Sequence, residues 1–470
     1  MQAHDIFSTL VVFLVGVALV FAAERTFESR ERGVLWLSFT THVVAALSMY
    51  WVTVEVLGGG DMRNYHTFGT RLAQAARLDF WGVTPDLIRV MLQADLPLPI
   101  PIHGIGSATG SMFCLSALVF LLVGDSIYAA CMLMGVASFF ARVLIYRAIR
   151  SNIDPREWVR LEIACLLLPS VSFWCSGLLK ESFAFCGVAA LFWGTNALLQ
   201  RRNPLGPSLL VAVGVVLIGV VKPYVLMPAG IGIGAWLYFS ATKRERLRSV
   251  WALPVAGAVA LVAVLAVGEL FPRYSFMQLP EETMQLQEVF SNRTGGESKI
   301  SLGEGDSASL GGEERAFSGQ LAYAPLAIIT ALFRPSLADV KNAQMLVNSI
   351  EVTVLTVIFL VVLARKRWRD FFTALYEHPV LAFCTLFVLV MSLGVGLATP
   401  NLGSLSRYRT PMMPFFAIAL ALGLRRAEVA VQQLPATFAR ARTRAGQAVA
   451  PVAKLPIRRR HAAPGSAYPR

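Results

Sequence analysis

The chain has 470 residues, of which 56% are hydrophobic and 15% are charged, and its formal net charge is +13. This balance excludes an ordinary soluble domain, and the mean hydropathy of +0.59 agrees. Repeated long apolar runs predict an all-α fold, a polytopic transmembrane bundle of roughly 11–12 helices. We expect the bundle to occupy residues 1–424, followed by a basic, disordered cytoplasmic tail at residues 425–470.

The first predicted span, Ile6 to Ala23, has no charged residue and about the length that a bilayer requires. A signal peptide would contain a similar run. No Lys or Arg precedes this one, however, and its cleavage motif is weak, so we predict a retained helix. Eleven further runs predict the remaining helices: Val34–Leu57, Ser111–Val123, Ile127–Tyr146, Ile163–Leu179, Phe183–Leu199, Leu209–Val221, Tyr224–Phe239, Trp251–Phe271, Leu346–Leu363, Leu381–Leu397 and Pro411–Leu424.

Basic residues in short loops predict the orientation, because loops rich in Lys and Arg usually stay in the cytoplasm. Four segments carry this signal: Arg201–Arg202, Lys243–Arg248, Arg365–Arg369 and the tail from Arg425. They predict that Lys180, Lys222 and the loop 399–410 face outward. The segment 272–343 is predicted to be an external loop, in part either disordered or a lid, that ends in a short interfacial helix.

The front of the chain permits two topologies. Counting all predicted spans backward places residues 58–109, and with them Asp61, on the cytoplasmic side together with the basic loop Arg147–Arg160. Alternatively, one short segment before Leu209 is not a full crossing, and Asp61 then lies outside. Because Lys180 and Glu181 interrupt the stretch Leu161–Leu199, we expect the exception there.

Several classes of site are disfavoured by the sequence. The six cysteines lie in or beside apolar runs with no zinc or redox spacing, so we predict core positions for them, and the six histidines form no metal-ligand motif. The absence of a GxxxxGK[ST] motif disfavours an ATP-driven pump. We therefore predict neither a metal nor a cofactor.

Polar residues at membrane depth are costly and mark candidate sites. Asp61 follows a glycine run and is a candidate general base, or else an interfacial or helix-capping residue. Lys180 and Glu181 end a proline-broken stretch that begins at Pro169. Lys180 suits a phosphate, although the alternative is a mutually neutralised ion pair with Glu181. Lys222 precedes Pro223 and could bind the ligand or extend to the headgroups.

Two arginine motifs complete the set. Phe333-Arg334-Pro335 ends a short apolar run, where Arg334 could bind carboxylate or phosphate oxygens or anchor the headgroups. Arg407-Tyr408-Arg409-Thr410-Pro411 precedes the last span on the predicted outer side. Arginines on that side run against the usual charge bias, and an anionic lipid-linked phosphate would explain them.

In their order along the chain, these motifs resemble those of bacterial polysaccharide polymerases of the Wzy type and of the wider GT-C class of membrane glycosyltransferases. The resemblance rests on Asp61 with Tyr65, the stretch from Pro169 through Lys180-Glu181, Phe333-Arg334-Pro335 and Arg407 to Pro411. It implies a metal-independent enzyme of the bacterial cytoplasmic membrane that polymerises glycan repeat units from a polyprenyl diphosphate carrier. Its partners would be the lipid-linked glycan, membrane lipid and a chain-length regulator, without nucleic acid.

On this reading, Asp61, Lys180 and Glu181 are catalytic. The carrier diphosphate is bound by six further residues: Tyr65, Lys222, Arg334, Arg407, Tyr408 and Arg409. Three alternatives remain open. They are a GT-C transferase that adds one sugar from a polyprenyl monophosphate, a ligase for lipid-linked glycans, and a transporter or flippase.

Overall fold

The computed structural model describes residues 3–56, 59–200, 203–243, 322–341, 343–365, 377–399 and 401–423, with isolated positions at 257–269 and Leu375. Within these residues the chain is helical and has no extended strand. Several predicted segments lie outside the described residues: most of the span Trp251–Phe271, the external segment 272–321, the loops at Arg201–Arg202, 244–248 and 366–369, and the tail 425–470.

Seven helices in the described part of the chain are long and apolar enough to cross a membrane: Ala3–Glu24, Ser29–Val56, Ile127–Arg150, Lys180–Leu199, Pro223–Ala241, Met345–Ala364 and Pro379–Ala398. Four shorter apolar helices accompany them: Ala108–Val123, Leu205–Val221, Ala324–Phe333 and Thr410–Gly423. The prediction of an all-α, multi-pass membrane protein is therefore confirmed.

We number the helices in chain order. The first six are α1 (Ala3–Glu24), α2 (Ser29–Trp51), α3 (Asp61–Leu78), α4 (Phe80–Met91), α5 (Ala108–Val123) and α6 (Ile127–Arg150). The next five are α7 (Trp158–Leu166), α8 (Pro169–Trp174), α9 (Lys180–Leu199), α10 (Leu205–Val221) and α11 (Leu226–Lys243). The last are α12 (Ala324–Phe333), α13 (Ala343–Arg365), α14 (Pro379–Ala398), α15 (Leu402–Tyr408) and α16 (Thr410–Gly423).

Contacts between helix termini define two ends of the bundle. At one end, the last turn of α6 meets the turn between α1 and α2, where Arg147 bonds to Thr26. The end of α9 joins them, because Gln200 donates a hydrogen bond to Ser151 at 2.7 Å. We name this the basic end, since seven arginines lie in or beside its turns: Arg25, Arg30, Arg32, Arg147, Arg150, Arg156 and Arg160.

The opposite end holds the first turns of α6 and α9, because these two helices pack in parallel with their C-terminal turns together. Lys180 begins α9 there, and Lys222 follows the end of α10. Asp61 at the start of α3 and Arg407 in α15 lie beside them. We name this the cluster end, after Asp61, Lys180, Lys222 and Arg407.

Helix α5 begins and ends at the cluster end, so the predicted crossing at Ser111–Val123 is wrong. Thr109 in its first turn accepts a hydrogen bond from Lys180 at 3.1 Å. Gly124, immediately after α5, packs against His4 in the first turn of α1. The helix is apolar because it packs against α3, where Gly69 contacts Ser116, and not because it crosses the lipid. One crossing, α6, therefore separates Asp61 from the basic loop Arg147–Arg160.

The predicted span Ile163–Leu179 is a broken crossing, in which α7 ends at Leu166 and α8 begins at Pro169. Buried Arg142 of α6 donates hydrogen bonds to the carbonyl oxygens of Leu166 and Leu168, each at 2.5 Å. The Glu351 carboxylate accepts from the backbone N–H and the hydroxyl of Ser170, at 2.8 and 2.6 Å. These side chains satisfy backbone groups that a continuous helix would satisfy itself.

Helices α9 and α10 approach each other closely through glycines. A Cβ atom on Gly214 would lie 2.7 Å from the carbonyl oxygen of Gly187, which leaves no room for a side chain. This contact holds together the two helices that carry Glu181 and Lys222 at their cluster ends. The predicted core positions of the cysteines are confirmed for all but Cys186, which is half-buried.

Candidate functional site

The centre of the candidate site is Glu181, in the first turn of α9, whose side chain is 0% exposed. Its Oε1 accepts a hydrogen bond from Nζ of Lys222 at 2.7 Å. Its Oε2 lies 2.9 Å from Nε of Arg407, an ion pair whose atoms are not aligned as a hydrogen bond. Such partners are needed because an unpaired buried charge costs several kcal/mol. The alternative of an ion pair with the adjacent Lys180 is thus not observed.

Arg407 links this buried acid to the exterior. Its Nη2 donates a hydrogen bond to Oδ2 of Asp61 at 3.0 Å, and Asp61 has a side chain that is 52% exposed. Burial alone would lower the pKa of Arg407, but Glu181 and Asp61 outweigh burial and raise it above its ordinary value. The guanidinium therefore remains charged and holds one buried and one accessible carboxylate.

Lys180 lies on the other side of the cluster, where its ammonium donates to the Thr109 hydroxyl at 3.1 Å. Its charge interacts favourably with Asp61 and Glu181 and unfavourably with Lys222 and Arg407, so the five charges form one electrostatic group. The described hydrogen-bond partner of Lys180 is thus a neutral group, whereas Lys222 and Arg407 have carboxylates.

Aromatic rings line the same cluster. The ammonium of Lys222 lies 4.4 Å from the centroid of the Tyr408 ring and 5.9 Å from that of Tyr224. Tyr65 is buried one turn after Asp61, with its ring 5.6 Å from that of Phe113. Burial, reinforced by Asp61, raises the pKa of Tyr65, and burial raises the pKa of Tyr408 to about 12. Both phenols therefore stay neutral at physiological pH.

The charges of the cluster favour an anion. Lys180, Lys222 and Arg407 supply three positive charges, and Asp61 and Glu181 supply two negative charges, which leaves a net charge of +1. Across the described ranges, no group of three or more His, Cys, Asp or Glu side chains is placed to hold a metal ion. The arrangement can bind an anionic group at Lys180 and present the Asp61 carboxylate beside it.

Arg334 and Arg409, which we expected to bind the same anion, have other partners. Arg334 forms an ion pair with Asp339, whose pKa this hydrogen bond lowers to about 2. Arg409 is fully buried and donates to the carbonyl oxygens of Ala331, at 3.2 Å, and Arg334. It satisfies the C-terminal end of α12 instead of facing the cluster. Burial lowers the pKa of Arg409 to about 10, so it is still charged at neutral pH.

Two buried charges within predicted spans escaped the sequence analysis, although a signal for both was present. Arg142 and Glu351 each interrupt a predicted span, which is the pattern that marks functional or structural sites in lipid. Their positions show a structural role at the break between α7 and α8.

The chain is thus a multi-pass α-helical membrane protein with a network of paired charges at one end of its bundle. No family model matches the sequence, and neither a curated protein nor a solved structure shows significant similarity to it.

Proposed function

We propose that this protein is a metal-independent glycosyltransferase that polymerises glycan repeat units from a polyprenyl diphosphate carrier at the outer face of a bacterial cytoplasmic membrane. The observation that carries the proposal is the bridge from buried Glu181 through Arg407 to exposed Asp61, beside Lys180. It combines an anion-binding group with an accessible carboxylate, the two functions that such a transfer requires.

The distribution of arginines supports the proposed orientation. The short connections at the basic end, between α1 and α2 and between α6 and α7, carry seven arginines, and short loops of this kind usually remain cytoplasmic. The arginines of α3 and α4 lie in a much longer connection, where charge has little influence on orientation. The cluster end would then face outward, with Asp61 and Lys180 on the same side. Asp61 and the loop Arg147–Arg160 lie at opposite ends of α6, which supports the alternative topology in which Asp61 faces outward.

The diphosphate would be held chiefly by Lys180. Its described hydrogen-bond partner is the neutral Thr109 hydroxyl, so an incoming phosphate does not have to displace a carboxylate from it. As the bond between the anomeric carbon and the diphosphate oxygen breaks, the electron pair stays on that oxygen. Lys180 and Arg407 would stabilise the developing negative charge, and a well-placed donor of this kind contributes about 3 kcal/mol.

The acceptor hydroxyl would be activated by Asp61. The oxygen of the acceptor hydroxyl forms the new bond to the anomeric carbon. The hydroxyl proton passes to the Asp61 carboxylate, which Arg407 orients. Glu181 is fully buried and paired with two cations, so we assign it a positioning role in place of the catalytic role predicted from sequence. A chain-length regulator would act on this reaction from outside the site.

Two related reactions would use the same groups. A transferase that adds a single sugar from a polyprenyl monophosphate gives a product one residue longer, whereas a polymerase gives a ladder of repeat units. A ligase moves the finished glycan to a different acceptor lipid. Analysis of product length and of the acceptor therefore separates these three enzymes.

A lipid-linked glycan transporter is the second candidate function, and the broken crossing favours it. Discontinuous helices with buried charges, as at the junction of α7 and α8, are a feature of transporter binding sites. Purified protein in liposomes distinguishes the two. Conversion of lipid-linked oligosaccharide into longer glycan indicates an enzyme, and transbilayer movement without conversion indicates a transporter.

The test of the proposed function begins with a deletion strain, which should lose surface polysaccharide and accumulate lipid-linked repeat units. Lipid-linked oligosaccharide extracted from that strain is then supplied to purified protein in liposomes. We expect chain elongation by the wild type and by Arg71→Ala, which changes an exposed residue on the helix that carries Asp61. Arg407→Ala should give none, and elongation at the wild-type rate by this variant would contradict the assignment.

A further inference from the structure

The corner between α3 and α4 exposes large apolar side chains to an unusual degree. Leu78 is 91% exposed and Trp81 is 84% exposed, and Leu122 near the end of α5 is 81% exposed. The end of α3 contacts the end of α5, because Arg77 donates to the carbonyl oxygen of Phe120 at 2.6 Å and pairs with Asp125 at 2.7 Å, and Trp81 follows Leu78 by three residues. We name Leu78, Trp81 and Leu122 the apolar corner.

The next helix continues the same pattern. Leu87 and Val90 of α4 are buried, while Phe80, Ile88 and Leu92 are 48%, 42% and 55% exposed. Exposed apolar patches of this kind mark surfaces that contact a membrane or another protein. The distribution is that of an amphipathic helix lying along a boundary, with one face packed on the protein.

The location of the apolar corner favours lipid as its partner. Gly124, two residues after Leu122, packs against His4 and Ser8 in the first turns of α1. The same turns expose Ile6 and Phe7, at 55% and 68%, on the most apolar and least enclosed of the candidate spans. The corner therefore continues the exposed apolar surface of α1 sideways, at the level where that helix begins.

Charged groups nearby suit the headgroup region. Arg77, which precedes Leu78, forms an ion pair with Asp125, and Arg89 pairs with Asp86 on α4. Arginine near an interface can direct its guanidinium to phosphates while its carbon chain covers apolar groups. Tryptophan is also enriched at the boundary between lipid and water.

We propose that the apolar corner inserts into the bilayer leaflet at the cluster end, with Leu78, Trp81 and Leu122 among the acyl chains. Helices α3, α4 and α5 then form an interfacial layer that lies on the membrane beside α1. The layer carries Asp61 at the start of α3 and Thr109 at the start of α5, so insertion would fix the depth of the candidate site relative to the lipid surface.

Spin labelling tests this inference on the full-length protein. Nitroxide labels at Trp81→Cys and Leu122→Cys are compared with Arg71→Cys, an exposed position on α3, all in a Cys186→Ser background that removes the one native cysteine that is not buried. The protein is reconstituted in vesicles of phosphatidylethanolamine and phosphatidylglycerol. Collisions of each label with oxygen, which concentrates in lipid, are measured against collisions with a water-soluble nickel complex.

We expect the ratio of oxygen to nickel collisions at Trp81 and Leu122 to exceed that at Arg71 several-fold. A ratio equal to that at Arg71 would mean that the corner lies in water and would overturn the inference. Labels that neither reagent reaches would indicate a protein interface, which would also overturn it. If Trp81→Cys fails to fold, Leu78→Cys replaces it, because the exposed Leu78 side chain makes little packing contribution.

Discussion

Each end of the bundle contains a fully buried glutamate, and their partners differ. Glu181 at the cluster end contacts Lys222 and Arg407, and Arg407 continues outward to the exposed Asp61. Glu31 at the basic end accepts hydrogen bonds from the Tyr146 hydroxyl and the backbone N–H of Glu28, and pairs with Arg150 at 3.1 Å.

The contacts at the basic end join helices to one another: Glu31 forms a capping box at the start of α2, and Arg150 also stacks on Trp158, 3.8 Å from the ring centroid. The same kind of buried acid can therefore tie helices together or hold a cation in place for a ligand. The difference lies in the second, exposed carboxylate: Asp61 accepts a hydrogen bond from Arg407 at 3.0 Å, whereas Glu28 lies 4.0 Å from Arg150 and is paired with Arg30 at 2.9 Å.

The largest effect is expected from Asp61→Asn, because Asp61 is the accessible carboxylate of the cluster, whereas the exposed acid at the basic end, Glu28, is paired with Arg30 and caps α2. Loss of a general base lowers turnover by about 10²–10⁴-fold. Protein yield should stay unchanged, since the Asp61 side chain is half exposed. The measurement is elongation of lipid-linked oligosaccharide in liposomes, with Asp86→Asn on α4 as the matched control. Equal loss in both variants would show that Asp61 has no specific role.

A pair of charge-preserving changes compares the two ends directly. Arg407→Lys keeps the positive charge but cannot contact Glu181 and Asp61 at once, so we expect a loss of about 10²–10³-fold in elongation. Arg150→Lys makes the same change at the basic end and should leave elongation within about twofold, the scale of a mutation remote from the site. Similar elongation rates for the two variants would remove the functional distinction between the ends.

Removing each buried acid should then separate the ends by stability. Glu181→Gln leaves Lys222 and Arg407 without their shared carboxylate and should destabilise the protein by about 3–5 kcal/mol. Glu31→Gln affects one cation, Arg150, which is 16% exposed, so the cost should be nearer ~1–2 kcal/mol. Thermal unfolding in detergent measures both. The double variant Glu181→Gln/Lys222→Met should regain part of the loss, which separates charge imbalance from a packing defect.

The last effect depends on pH and is expected to leave elongation unchanged; it concerns Glu162, a buried acid at the basic end. Burial and Glu31 raise its pKa to about 8, opposed by Arg150 and Arg30. Between pH 4.5, the ordinary pKa of a glutamate, and pH 8, Glu162 is protonated in the folded protein but ionised in the unfolded chain. The free energy of unfolding therefore falls as the pH rises from about 4.5 to about 8. Glu162→Gln should remove this slope, so that its stability relative to the wild type rises between pH 4.5 and pH 8 and is constant at lower pH. The measurement is the melting temperature of both proteins as a function of pH. The same pH dependence in the wild type and in Glu162→Gln would disprove the ionisation of Glu162.

Several features were accessible from the sequence because they depend on composition along a continuous segment. Long apolar runs identified the helices, and the interruption at Pro169 marked the broken crossing. Loop arginines predicted an outer side for Lys180 and Lys222, which the structure does place at the same end. The proximity of Asp61 and Arg407, 346 residues apart, could be suggested only by their common predicted chemistry.

Other features depend on the orientation of a helix in the bundle and on which side chains contact each other, and the sequence specifies neither. Ser111–Val123 has the composition of a span, yet apolar residues also line a helix that packs on its neighbour. Lys180 and Glu181 are adjacent in sequence, but consecutive residues on a helix point about 100° apart, so their side chains take different partners. Arg409 donates hydrogen bonds to carbonyl oxygens at the end of α12, and no pattern in the sequence indicates this.

The close contact between Gly187 and Gly214 makes the α9–α10 pair a spacer of fixed width. Glu181 lies two turns from one glycine and Lys222 two turns from the other, so the separation of their helices is set by backbone contact and not by the charges themselves. A methyl group at either glycine would force the helices apart and widen the gap between acid and ammonium. A substitution at Gly187 or Gly214, inside the bundle, would thus change the distance between Glu181 and Lys222 at the membrane surface.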